Sequence, residues 1–295
     1  MILNVSGRTD IVGFYTEWFI KRYQDGYVDV RNPFYKKLVS RIYFKDVDLI
    51  VFCTKNPRPI IDFLPSIEEP ILFHVTLTPY KKEIEPNVPN KKEVIKDIQK
   101  IANIIGVDNV YVRYDPIFLN DNYTLDYHIK AFRKMCTCLK GYVKHIIVSF
   151  IDDYKNVRKN MNVLKIKNLS GEQFKTLGLE FSNIAKECGM TVQTCSEYNN
   201  LSEYGFIVQD CVYKELAYKL TGKTYGRWKG RNNDFCHCVS MVDIGDYNTC
   251  SHYCKYCYAN YDEIKITENR LKHNPLSSLL IGEIEDDDEI KVRKK

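Results

Sequence analysis

The segment Asp48-Leu49-Ile50-Val51-Phe52-Cys53-Thr54-Lys55-Asn56-Pro57 passes from an unbroken apolar run into a polar end closed by proline. A short apolar run without alternation, bounded by turn residues, reads as a strand buried on both faces, as in a parallel sheet. The same pattern recurs along the chain. Ile2-Leu3-Asn4-Val5-Ser6 leads into Gly7-Arg8-Thr9-Asp10, and Gly26-Tyr27-Val28-Asp29-Val30 into Arg31-Asn32-Pro33. Ile71 to Val75 leads into Thr76-Leu77-Thr78, Val110 to Val112 into Arg113-Tyr114-Asp115-Pro116, and His145 to Val148 into Ser149-Phe150-Ile151-Asp152. Thr191 to Gln193 meets Thr194-Cys195-Ser196-Glu197, and Val239 to Gly245 is the last run. Between them lie helical patterns. Lys91 to Ile105 sets Val94, Ile98, Ile101 and Ile105 on one face, and Leu125 to Leu139 and Gly171 to Gly189 read alike. Strands alternating with helices predict an α/β fold with a parallel sheet, here a full or partial (β/α) TIM-like barrel.

In that architecture the active site lies at the C-terminal ends of the strands. The polar strand endings would then share one mouth: Arg8, Thr9, Asp10, Arg31, Asn32, Thr54, Lys55, Asn56, Thr76, Thr78, Arg113, Asp115, Ser149, Asp152 and Glu197. Each alone is an ordinary loop or cap residue; their repetition argues for a common polar pocket. The expected organisation is a barrel body over 1–220, a cysteine-rich segment over 221–282 that completes the barrel, and a solvated charged tail over 283–295. The break in periodicity falls near Leu220 to Asp234, where Gly222, Gly226, Gly230 and Asn232-Asn233 cluster.

The net charge of +5 is spread without a dominant basic block, so it tolerates a nucleic-acid or nucleoside substrate without predicting one. No apolar run approaches the ~20 residues that span a bilayer. The N-terminus enters a strand pattern at once, which predicts a cytoplasmic protein without membrane partners. In that compartment eleven cysteines point to metal or catalysis rather than disulfides.

Cys53, Cys136, Cys138 and Cys188 sit in apolar strand or helix patterns and read as core fillers. Cys250, Cys254 and Cys257 follow C-x3-C-x2-C spacing, with Tyr256 and Tyr258 around the third. Three thiolates on one loop suit a [4Fe–4S] cube with one open iron, or a zinc site completed by His252, His237 or another cysteine. Cys195, Cys211, Cys236 and Cys238 lie in polar segments and form a candidate second centre, with [4Fe–4S] favoured over zinc. Gly-rich dinucleotide and phosphate loops are absent from the sequence, and its six histidines lack H-x3-H spacing.

The segments Ser6-Gly7-Arg8-Thr9-Asp10, Val30-Arg31-Asn32-Pro33, Thr54-Lys55-Asn56-Pro57, Glu85-Pro86-Asn87-Val88-Pro89, Arg113-Tyr114-Asp115-Pro116-Ile117 and Asn248 through Asn260 resemble the family catalogued as domain of unknown function 1848. That resemblance covers nearly the whole chain and brings no assigned reaction. The cysteine loop is also similar to that of the radical S-adenosylmethionine (SAM) enzymes, among them spore photoproduct lyase and its relatives, where a Tyr-Cys-Tyr ending is common. This second resemblance implies that Cys250, Cys254 and Cys257 bind three irons while SAM chelates the fourth. Reductive cleavage of SAM then gives a 5′-deoxyadenosyl radical that attacks a substrate, with an electron donor such as flavodoxin or ferredoxin. One departure matters: the triplet follows the last strand rather than the first. A retained barrel would be circularly permuted, with Ile2 to Ser6 in the second-strand position. Ser6, Arg8, Thr9 and Asp10 then become SAM-binding candidates, although the familiar Gly-Gly-Glu is missing. Tyr256 would pack on the cluster or adenine. Arg31, Lys55 and Arg113 would grip an anionic group, and Asp115 and Glu197 an amine or ribose. The alternative is a zinc- or Fe–S-binding non-catalytic module serving nucleic-acid binding or electron transfer.

Overall fold

A computed structural model describes residues 1–228 and 235–294. In chain order its strands are β1 (Ile2–Asn4), β2 (Tyr27–Arg31), β3 (Leu38–Tyr43), β4 (Leu49–Thr54), β5 (Ile71–Thr76), β6 (Val110–Ile117), β7 (His145–Phe150), β8 (Thr191–Thr194), β9 (Met241–Asp243) and β10 (Glu289–Val292). The helices are α1 (Ile11–Phe14), α2 (Thr16–Asp25), α3 (Lys91–Ile105), α4 (Leu125–Leu139), α5 (Lys155–Lys159), α6 (Met161–Leu164), α7 (Gly171–Glu187), α8 (Lys214–Thr221) and α9 (Glu263–Leu271).

Seven of these strands form one parallel sheet in the order β9-β1-β4-β5-β6-β7-β8. Apart from β9, which lies outside β1, spatial order follows chain order. No pairing among the described residues joins β8 to β9, so the sheet is not closed into a full barrel. The unbroken apolar runs have the expected cause, since both faces are covered. Ile50 and Phe52 of β4 face the cluster that holds Trp18 of α2, Ile98 of α3, Phe132 of α4 and Phe181 of α7. Leu49 and Val51 turn the other way, with Ile2, Leu72, Tyr111 and Ile147, against Val212, Val239 and Leu216 of α8. Successive strand side chains alternate between these faces. The helices begin on side-chain caps: Asn90 for α3, Thr124 for α4, and a reciprocal Ser170–Gln173 capping box for α7.

Three expectations change. The run at Gly26 to Val30 does form a strand, but β2 pairs antiparallel with β3 in a separate sheet of order β10-β3-β2. Buried Asp29 anchors it by accepting two bonds from the Arg41 guanidinium, at 2.9 and 2.7 Å. Arg31 and Asn32 are therefore not at the mouth. Arg31 makes a two-pronged pair with Asp288 at 2.6 and 2.7 Å, and the Asn32 carboxamide accepts from the backbone N–H groups of Phe34 and Tyr35. The charged tail is largely exposed, as expected, but it is ordered: it supplies β10 in parallel register with β3, because its carboxylates meet Arg31 and Lys37. Finally, β6 runs on to Ile117, so Arg113 and Asp115 are strand residues on the same face as Tyr111. Of the expected boundary, Gly230, Asn232 and Asn233 lie outside the described residues. No helix among the described residues is long and apolar enough to cross a membrane.

The Arg31 guanidinium holds the Asp288 carboxyl down at about 2, against an ordinary value of 3.8. A depressed acid stabilises attachment fully above its unfolded value and loses that contribution as pH falls through the folded one. Hydrogen exchange should therefore show β10 amides protected above about pH 4 and released toward pH 2. Asp288→Asn should release them already at neutral pH; unchanged protection in that variant would contradict the pairing.

Candidate functional site at the strand ends

After β9 the chain turns back across the ends of β1 and β4 and forms the cysteine loop. Two residues in the left-handed region, Asn248 (φ 54°) and Tyr253 (φ 55°), set its path. Its own amides hold its shape. The Asn260 carboxamide oxygen accepts from the backbone N–H groups of Thr249 and Cys250 at 2.8 and 2.9 Å. The Asn248 side chain accepts from Tyr261 and Asp262 in the same way. Cys250 and Cys254 are buried and Cys257 is half-buried. Among the described residues, the ligand groups drawn together within 4.8 Å are Asp210–Cys236–Cys238 and Glu285–Asp287–Asp288, not the three loop cysteines. Zinc–sulfur bonds of ~2.3 Å in a tetrahedron set sulfurs about 3.8 Å apart. The three loop thiols do not all lie within 4.8 Å of one another.

Residues 6–10 lie against this loop. Asp10, 5% exposed, accepts from Gly13 N–H at 2.8 Å, Thr54 Oγ1 at 2.7 Å and Lys55 N–H at 2.9 Å, and it meets His252 Nε2 at 2.8 Å. Burial opposes its charge, but His252 and the other donors hold the carboxyl below its usual value. Thr9 and Thr249 hydroxyls meet at 2.7 Å, Tyr15 OH donates to Thr249 O at 2.6 Å, and Tyr258 OH donates to Gly7 O. Ser6 Oγ accepts from Ile11 N–H at 3.1 Å. Arg8 donates to Oδ1 and to the backbone oxygen of Asp243, at 3.1 and 3.0 Å. Gly7 is required here, since a Cβ would come within 1.8 Å of an Asp243 oxygen. All four candidates in this segment thus have protein partners, and Thr9 and Asp10 are bonded directly to the loop.

On its other side the loop meets the segment after β5. Asn87 Nδ2 donates to Ser251 O at 2.8 Å, and Lys255 N–H donates to Ile84 O at 3.0 Å. Glu85, 1% exposed, is the hub of a buried charge network. It takes Lys55 Nζ at 2.9 Å, Thr78 Oγ1 at 2.6 Å, Lys91 and the Tyr256 hydroxyl. Burial alone would raise its carboxyl; Lys55 and Lys91 bring it down to about 2. Lys55 is raised despite burial, because Glu85 and Cys254 favour its charge. Lys91, by contrast, is lowered, because burial and the neighbouring Lys55 outweigh Glu85; Lys55 is the cation held charged beside Cys254. Tyr256, expected on a cofactor, is buried with its ring against Tyr80 and Lys55.

The second cysteine group lies across the inner face. Arg113 pairs with Asp115 at 2.9 and 2.5 Å, and its other terminal nitrogen donates to Cys211 Sγ at 3.2 Å. Cys211 Sγ lies 3.0 Å from Cys195 Sγ, and Cys236 and Cys238 Sγ lie within 4.8 Å of each other and of an Asp210 carboxylate oxygen. Glu197 accepts from Phe150 N–H at 2.7 Å, and burial, with Asp152 and Asp115 in range, pushes its carboxyl up to about 7. His74 Nε2, Gln193 Oε1 and Ser196 Oγ are buried without a hydrogen-bond partner among the described residues. Of the expected core cysteines, Cys136 is buried, whereas Cys138 is exposed, because two residues along a helix turn a side chain to the far side.

The family model described as "Domain of unknown function (DUF1848)" matches residues 2–259. The chain belongs to that family. No curated protein matches it. Among solved structures, one of the pneumococcal virulence factor StrH, titled for its inhibition and for N-glycan recognition and hydrolysis, is similar at a TM-score of 0.31 and 10% identity. The likeness covers 90% of this chain and 80% of that one. A score that low carries no argument.

For this DUF1848 chain, one site residue escaped sequence reasoning and another has a different partner from the one considered. His252, considered as a fourth ligand of a zinc site, is 3% exposed and bonded to Asp10. Glu85 carried no metal or catalytic spacing; its occurrence in Glu85-Pro86-Asn87 was the only available signal. Glu85→Gln should strand Lys55 without a counter-charge and lower the unfolding free energy by about 3–5 kcal/mol in urea titration. A change below about 1 kcal/mol would mean that the network behaves as solvent-exposed pairs do.

Proposed function

We propose that this chain is a radical SAM enzyme whose [4Fe–4S] cluster is held by Cys250, Cys254 and Cys257. The observation that carries the reading is the loop itself: three thiols at C-x3-C-x2-C spacing beside a buried Lys55–Glu85–Lys91 network. When bound, such a cluster with SAM on its open iron supplies reductive C–S cleavage to methionine and a 5′-deoxyadenosyl radical. The protein's part is positioning and exclusion of water. Lys55 offsets the negative charge that three thiolates bring into a buried site. Asp10 and His252 fix the loop to the ends of β1 and β4, and Asn260 holds the amides around Cys250. Tyr80 and Tyr256 keep the side next to Cys254 dry.

The strand order supports reading the sheet as a permuted partial (β/α) barrel, with β9 in the usual first position and β1 second. In this reading the segment 6–10 is the SAM-contact candidate, because it follows β1 and abuts the loop. The electron donor would be a flavodoxin or ferredoxin, and the setting the cytoplasm.

The test is anaerobic reconstitution with iron and sulfide. Wild type should hold about four irons more than Cys250→Ala/Cys254→Ala/Cys257→Ala. It should form 5′-deoxyadenosine from SAM and a strong reductant, and Cys254→Ala should form none. Stoichiometric zinc with no iron uptake would overturn the proposal.

A further inference from the structure

Cys195, Cys211, Cys236 and Cys238 come from three separate stretches: the end of β8, the loop before α8 and the segment before β9. Nevertheless Cys195 and Cys211 Sγ lie 3.0 Å apart, Cys236 and Cys238 Sγ lie within 4.8 Å of each other and of an Asp210 carboxylate oxygen, and Cys238 lies close enough to Cys211 to raise its thiol. Three of the four are buried and Cys195 is half-buried.

Bonds that involve no sulfur bring these stretches together. Cys195 N–H donates to Val148 O at 2.9 Å, extending β8 along β7. Ile207 N–H donates to Val192 O at 2.9 Å and Val239 N–H to Val212 O at 3.0 Å. Gln193 Nε2 donates to Gln209 O, and His237 N–H to Asp210 Oδ1, each at 2.8 Å. The fold therefore builds the convergence, and the thiols do not hold it by themselves. Val212, Leu216, Val239 and Met241 wall the group off from water.

Arg113 is the second, independent observation. Its guanidinium is always charged. It lies on the inner face with one carboxylate, Asp115, and spends a further N–H on Cys211 Sγ. A neutral thiol is a weak acceptor, whereas a metal-bound thiolate accepts a charge-assisted bond. Four thiolates on a divalent ion, or on a four-iron cube, leave net negative charge that Arg113 faces directly.

We propose that Cys195, Cys211, Cys236 and Cys238 form a second, fully ligated thiolate metal centre with Arg113 as its charge partner. The metal is thiophilic, iron in a cluster or zinc. With all four positions taken by protein sulfur, no coordination site is open to substrate. Its role is to carry electrons or to pin the C-terminal segment over the sheet. This centre stands apart from the radical SAM reading, since it shares no ligand with the Cys250 loop.

The test uses anaerobically purified full-length protein. Cys211→Ser/Cys238→Ser should lose about four irons with their sulfide, or one zinc, relative to wild type. Cys250→Ala/Cys254→Ala/Cys257→Ala should keep that complement, so failure of either site leaves the other readable. Because the serine variant could misfold, wild type is also alkylated natively and mapped by mass spectrometry. The four cysteines should be protected as purified and labelled at least tenfold faster after chelation. Equal metal content in Cys211→Ser/Cys238→Ser, or equal labelling with and without chelator, would overturn the proposal.

Discussion

The Asp10 carboxylate is the constraint on which the site depends. It caps α1, takes the hydroxyl and the following amide at the end of β4, and meets the His252 ring of the cysteine loop. Three segments far apart in the chain are thus fixed to one buried charge. A carboxylate in such a place is tolerable only when its lone pairs are filled, and here several donors reach it. Removing it would orphan these donors together. The loop that carries Cys250, Cys254 and Cys257 would then lose its tie to β4 and keep the contacts of Thr249 with Thr9 and of Tyr258 with Gly7.

Around that anchor the two cysteine groups differ in a way that suits different chemistry. The triplet belongs to one loop, with a cationic network on one side and Asp10 with His252 on the other. Three protein sulfurs leave a coordination position unfilled. The other four cysteines arrive from three stretches, pack among apolar side chains and face Arg113. Both arrangements place a positive side chain beside sulfur, as thiolate-bound metal in a poorly solvated site demands.

Much of the sheet was legible because its signal is local. A parallel strand covered on both faces must be apolar throughout, and Leu49 to Cys53 says so without help from the rest of the chain. Lys91–Ile105 and Leu125–Leu139 were equally plain, each a periodic face with a capping residue before it. Where the outcome rests on distant partners, the sequence was silent or misleading. Tyr27–Arg31 has the composition of a main-sheet strand, but Arg41 and Asp288 draw it into another sheet. The acidic tail gave no sign of its strand because its partners, Arg31 and Lys37, lie some 250 residues earlier. The three thiols were visible from their spacing. The Glu85–Lys55 and His252–Asp10 contacts were not, because each forms across 30 residues or more.

The most direct measurement is the electron paramagnetic resonance spectrum of the reduced, reconstituted protein with and without SAM. A cluster held by three cysteines has an iron that SAM can reach, so SAM should shift the g-values of a reduced four-iron signal. That shift should vanish in Cys250→Ala/Cys254→Ala/Cys257→Ala. A four-iron spectrum indifferent to SAM in the wild type, or no such signal at all, would contradict the account.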